Sequence, residues 1–134
     1  MPGNPSLFGI HSTALALRQE RMNLLASNVA NADTPGYKAQ DLNFTAALEA
    51  ALGTASGGQL APAGTAPAHF GSSPADAAKA ARFERTPLQP SLDGNTVDAQ
   101  LEHAAYAQAA LEYRVSLNFV ESRMRGLMLA ITGQ

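Results

Sequence analysis

The chain has 134 residues, one domain's worth, with 9 Lys and Arg against 11 Asp and Glu and a formal net charge of −2. Its basic residues are scattered from Arg18 and Arg21 to Arg123 and Arg125, which excludes the concentrated basic footprint that nucleic acid requires. The absence of Cys excludes disulfides, thiolate catalysis and Cys-ligated metal together. Alanine supplies as many residues as Leu, Ile, Val and Phe combined, and there is no Trp. Burial stabilises by about 25 cal/mol per Å² of apolar surface. A chain this rich in small methyl groups is therefore expected to be marginal as an isolated monomer and to depend on neighbours.

Residues 7–31 read as an amphipathic helix. Leu15, Met22 and Val29 repeat every seven, Leu17 and Leu24 form a parallel row, and Leu25 lies between them. His11, Ser12 and Thr13 interrupt the apolar start, and the first basic residue is Arg18, so the pattern is not that of a secretory signal. The longest apolar run near either end, Leu127 to Ile131, is too short to cross a bilayer, and on residues alone the expectation is a cytoplasmic protein with no membrane span.

The helix runs into ASNVANADTPGYKA, residues 26–39. Asn31 is suited to end it in a left-handed conformation. Thr34 is pushed into an extended conformation by the proline that follows. Pro35 and Gly36 are the two residues a type II turn wants at its centre, and Tyr37 leaves as a large amphipathic anchor. Asn28 and Asn31 fall three apart on one face, suited to local capping and turn bonds or to bonds with a neighbouring chain. With Asp33, these residues form a candidate assembly turn, more specified than a helix stop requires.

Residues 38–50 suggest a short amphipathic segment through Leu42, Phe44 and Leu48. Residues 51–81 are dominated by Ala, Gly, Ser, Thr and Pro, and cannot bury enough surface to offset about 1–2 kcal/mol of backbone entropy per residue. They read as a flexible, partly disordered insert that tolerates shortening. Residues 82–92 read as extended and proline-punctuated, with Phe83, Leu88 and Leu92 free to dock. Asp93-Gly94-Asn95 is a turn, Asn95 or Thr96 the expected N-cap, and Asp98 favourable near a helix N-terminus. From about residue 96 to 131 a long helix follows. Tyr106, Ala110, Tyr113, Leu117, Val120, Met124, Leu127 and Ile131 alternate spacings of four and three, a heptad seam. A weaker second face carries Leu101, Ala104, Leu111, Val115 and Leu129 and has room for another partner.

Two of these stretches resemble a known family. Ser27 to Lys38 is similar to the N-terminal signature of the bacterial flagellar rod, hook and hook-associated proteins. With Leu7-Phe8-Gly9-Ile10-His11 upstream, its Asn-Ala-Asp form is most similar to the proximal-rod members. Ser91-Leu92-Asp93-Gly94-Asn95-Thr96-Val97-Asp98 resembles their second landmark. The resemblance covers roughly residues 7–50 and 88–134. It implies a structural subunit of the proximal rod of the basal body, transmitting torque from the MS ring to the distal rod and hook. The implied partners are other rod subunits, the basal adaptor protein FliE, the MS ring and the flagellar type III export apparatus. The implied location is the periplasmic rod, reached without a cleaved signal, which overrules the cytoplasmic reading.

The expected architecture is mainly α. Long N- and C-terminal helices pair as an antiparallel coiled coil or bundle around an irregular middle, with segments at 1–50, 51–92 and 93–134. No cofactor, metal or catalytic residue is expected. His11, His69 and His103 lie on separate segments without ligand spacing. No serine sits in a nucleophile elbow, and the glycines match no phosphate-binding loop. Tyr106 and Tyr113 read as packing residues rather than a ligand pocket. A rod subunit is the leading expectation; the alternative is a soluble helical binding module, such as an export chaperone or secreted effector.

Overall fold

The computed structural model describes residues 8–53 and 73–133. In chain order the elements are α1 (Gly9–Ala30), β1 (Gln40–Leu42), α2 (Phe44–Leu52), α3 (Pro74–Ala80), β2 (Arg82–Glu84) and α4 (Ala99–Thr132). The mainly helical expectation holds, with the two terminal helices packed against each other. His11 of α1 stacks on Phe119, Arg18 pairs with Glu112, and Asn28 bonds Glu102. Partners ascend along α1 as they descend along α4, so the pair is antiparallel. At 1.5 Å per residue α4 is about 51 Å long. By the same stepping it passes the first residue of α1 near Glu121, and the rest of α4 runs on beyond it.

The apolar core is small and built largely from small residues. Leu17 and Leu24 of α1 meet Leu42, Ala47 and Ala78, with Phe44, Leu48 and Ala81 packed around them. Ala47 and Ala78 are fully buried, which lets α2 and α3 lie close together against α1. β1 and β2 pair antiparallel, Asp41 opposite Phe83.

Several local expectations are corrected. The amphipathic segment read at 38–50 divides into two elements: Leu42 ends a strand, and Asn43 caps α2 by accepting a hydrogen bond from Ala46 N–H at 3.2 Å. Of the stretch read as a flexible insert, residues 54–72 lie outside the described residues. Residues 74–80 are helical, and Ala77 and Ala78 are buried, so shortening cannot be extended to that end without opening the core. The signal was the capping box Ser73-Pro74-Ala75-Asp76, in which Ser73 accepts from Asp76 N–H and donates to its carboxylate. At α4 the N-cap is Asp98, whose carboxylate accepts from Gln100 and Leu101 N–H; Asn95 and Thr96 are engaged elsewhere.

Candidate functional site

The turn after α1 forms as its residues dictate. Tyr37 N–H donates to Thr34 C=O at 3.3 Å across Pro35 and Gly36, and Gly36 sits at φ +73°, the conformation of the third residue of a type II turn. Asn31 closes the helix differently from expectation. Its φ is −104°, and its side-chain amide donates to Ser27 C=O at 2.8 Å while its Oδ1 accepts from the Thr34 hydroxyl at 3.1 Å. A side-chain cap satisfies a terminal carbonyl without the left-handed backbone. Asp33, Thr34, Pro35 and Gly36 are exposed.

Onto this turn docks the second landmark, some sixty residues away in sequence. Asn95 is buried, and its Nδ2 donates to Asn31, Ala32 and Thr34 C=O at 3.1, 2.8 and 2.8 Å. Its Oδ1 accepts from Val97 N–H at 2.7 Å. Gly36 N–H donates to Asp93 C=O at 2.9 Å, Thr96 N–H to Tyr37 C=O at 3.0 Å, and Ala39 N–H to the Thr96 hydroxyl at 2.7 Å. Lys38 Nζ donates to Gly94 C=O at 2.9 Å. Three carbonyls at and just past the end of α1 are thus held by a side chain from the loop that leads into α4. The two landmarks are one structural unit.

Below the turn, Asn28 is fully buried. Its amide pairs both backbone groups of Gln40, donating to the C=O at 2.7 Å and accepting from the N–H at 3.0 Å. It also donates to Glu102 at 3.0 Å and accepts from the Tyr37 hydroxyl at 3.3 Å. Asn28 is therefore occupied within its own chain and unavailable to a neighbour. From Glu102 a chain of alternating charges runs through the molecule. Glu102 meets Arg85 at 2.6 Å, Arg85 meets Asp41 at 2.5 Å, and Asp41 meets Arg21 at 3.0 Å. Arg21 then reaches Glu112 at 3.5 Å, which binds Arg18 at 2.6 Å; the Arg18 guanidinium also lies 4.4 Å over the Phe44 ring. The sequence reading passed over Asp41, Arg85 and Glu102, because nothing local marks a charge for burial.

Glu102 and Asp41 are only 1% and 6% exposed. Burial pushes the Asp41 carboxyl up, but hydrogen bonds from Arg21, Arg85 and Leu42 N–H outweigh it and hold the group below its ordinary value. A depressed carboxyl contributes stability that is present above the unfolded value near 3.8 and lost as pH falls through the lower folded value. Asp41→Asn is expected to cost about 1–3 kcal/mol at pH 7 and to flatten the acid limb of the stability curve. Urea midpoints at pH 7, 4 and 2.5 check this; parallel curves for the two proteins would refute it.

The seam residues fall along the flank of the α1–α4 contact. The residues α4 buries are Glu102 and Ala109. Ala110, Tyr113, Leu117, Val120 and Leu127 are half-buried, whereas Tyr106, Met124 and Ile131 are exposed. The second face, Leu101, Ala104, Leu111, Val115 and Leu129, is exposed. His11 packs on Phe119 with ring centroids 6.2 Å apart; His69 lies outside the described residues. Among the described residues no group of His, Asp and Glu could hold a metal ion, and no helix is long and apolar enough to cross a membrane.

Residues 8–38, which hold α1 and the turn, match the family described as "Flagella basal body rod protein". Along its length the chain is similar to proteins named flagellar basal body rod protein FlgB. It is 45% identical to that of Aeromonas hydrophila over 128 residues, 95% of this chain and 93% of that protein. To that of Cereibacter sphaeroides it is 43% identical over 134 residues, all of both chains. To that of Salmonella typhimurium it is 38% identical over 122 residues, 90% of this chain and 88% of that protein.

Proposed function

The chain belongs to the FlgB family of flagellar basal body rod proteins, and from that membership we propose that it occupies the proximal end of the rod and passes torque from the MS ring to the distal rod and hook. It is a structural component of the basal body rod and not an enzyme, and it assembles with other rod components. In the proposed setting its further partners are the adaptor FliE and the MS ring, and it reaches a periplasmic position through the flagellar type III export apparatus.

One observation carries this reading: the locked junction between α1 and α4. A subunit that carries torque needs a helix pair whose register does not slip. Asn95 on three carbonyls and the buried Asn28–Glu102–Arg85–Asp41 chain supply that constraint. The rest of α4 supports it too, since Leu101, Leu111, Val115 and Leu129 leave an apolar face open along the helix. In this reading the turn at 33–37 and the flank seam from Tyr106 to Ile131 are the surfaces that neighbouring subunits grip.

Electron cryotomography of basal bodies provides the test. Cells lacking the gene are expected to be non-motile, with MS rings that carry no rod, and a labelled chain restoring motility should lie at the MS-ring end. Rods that assemble without the chain, or a label at the hook end, would contradict the proposal.

A further inference from the structure

The loop that docks on the turn after α1 sets an acid directly before a glycine. Gly94 is at φ +75°, a conformation that side chains disfavour, and its Cβ position lies 3.7 Å from Gly36 Cα. Asp93 serves the junction twice. Its C=O accepts from Gly36 N–H at 2.9 Å, and its carboxylate accepts from Asn95 N–H at 3.0 Å. No other Asp or Asn in the sequence precedes a Gly. That order is reactive, because a side-chain carboxyl one carbon from the main chain closes a five-membered ring on the next backbone nitrogen. Glycine has no side chain to hinder the attack.

We infer that Asp93–Gly94 is a site of spontaneous succinimide formation and backbone isomerisation, guarded in the folded chain by the docked junction and released when the junction opens. In the ring closure the Gly94 nitrogen bonds Asp93 Cγ and gives up its proton, the carboxyl gives up an oxygen, and one water leaves. Water then adds back at one of the two ring carbonyls. Addition at Cγ restores Asp93. Addition at the backbone carbonyl leaves Gly94 joined through Cγ, so the main chain gains one carbon and the mass is unchanged. The carbonyl that Gly36 N–H binds then becomes a free carboxylate, the group that an L-isoaspartyl methyltransferase esterifies with S-adenosylmethionine. Asp93 is exposed, so the guard is hydrogen bonding and not burial. Asn95 N–H and the Ser91 hydroxyl hold its carboxyl below the ordinary value, and a bonded carboxylate is a poor target for attack. The attacking nitrogen is occupied as well, since Gly94 N–H donates to Ser91 C=O at 3.3 Å.

Ageing of the full chain at neutral pH tests it. Methyl groups accepted from S-adenosylmethionine through an L-isoaspartyl methyltransferase count the product, and electron-transfer fragmentation locates it. The folded wild type should accept few, and the wild type unfolded in urea many, at residue 93. Asn95→Ala should age roughly tenfold faster than the wild type without urea, as the open fraction rises when a buried polar partner is lost. If circular dichroism shows that Asn95→Ala is unfolded, wild-type rates across a urea titration carry the same test and should follow the unfolded fraction. Asp93→Glu, which would need a six-membered ring, should accept almost none in urea. The separated isoaspartyl chain should melt below its parent. Equal rates for folded and unfolded wild type would overturn the guard, and product at another residue, or in Asp93→Glu, would overturn the site. An unchanged melting temperature would overturn the link to the junction.

Discussion

Glu102→Ala is expected to lower the stability of the folded chain by about 3–5 kcal/mol, the range for breaking a buried ion pair from one side. The side chain is 1% exposed and serves two partners at once, Arg85 at 2.6 Å and Asn28 at 3.0 Å. Its removal leaves a half-buried guanidinium with Asp41 as its remaining acid, and takes away the bond from α4 to Asn28 of α1. Thermal melts should show a fall of roughly 10–20 °C at this chain length. Glu102→Gln keeps a partner for Asn28 but not the charge, and should fall between. Replacing both ends of the pair, Glu102→Leu with Arg85→Met, should cost less than Glu102→Ala alone, because no unpaired charge remains. If the double replacement is the worse of the two, the loss comes from packing and the charge chain is not what holds the helices.

Gly36→Val is expected to abolish rod assembly while the chain is still made and exported. At φ +73° a β-branched residue is strained by about 1–3 kcal/mol. A Cβ added here would meet nothing within 4 Å, so the cost is conformational and not steric crowding. The backbone relieves that strain by leaving the left-handed region, and the Gly36 N–H then swings away from Asp93 C=O, to which it donates at 2.9 Å. The docking of the two landmarks loosens, and with it the direction in which the chain leaves α1. Swimming assays and the rod content of purified basal bodies check this. Gly36→Asn, which tolerates positive φ better, should retain much of the motility. Full motility in the Val variant would remove the turn from the account.

The terminal helices and the turn were legible because their signals are local: apolar periodicity for α1 and α4, and the Thr34-Pro35-Gly36 order for a turn that needs one positive φ. The junction was not. Asn95 looked like a helix cap because Asn before a helix usually is one, but its amide was claimed by carbonyls more than sixty positions earlier. Capping then passed to Asp98. Asp41, Arg85 and Glu102 carry no local mark in the sequence, since burial of a charge is decided by which opposite charge the fold brings near. α3 hid behind composition: a stretch of Ala, Gly, Ser and Pro reads as irregular, yet the Ser73–Asp76 box starts a helix and the alanines pack because they are small. The seam was a true periodicity with a shifted target. α1 meets the neighbouring row through Ala109 and Glu102, which leaves the seam on the flank.

The central claim is that α1 and α4 are locked to each other within one chain of the rod. Cysteines at His11 and Phe119, whose rings stack 6.2 Å apart, test it in purified basal bodies, where a native chain without Cys gives no background. With a short bismaleimide linker, the double variant should be present in the rods and should cross-link into a species that runs as a single chain. Cross-links that appear only between chains, or a chain absent from the rods altogether, would contradict the account.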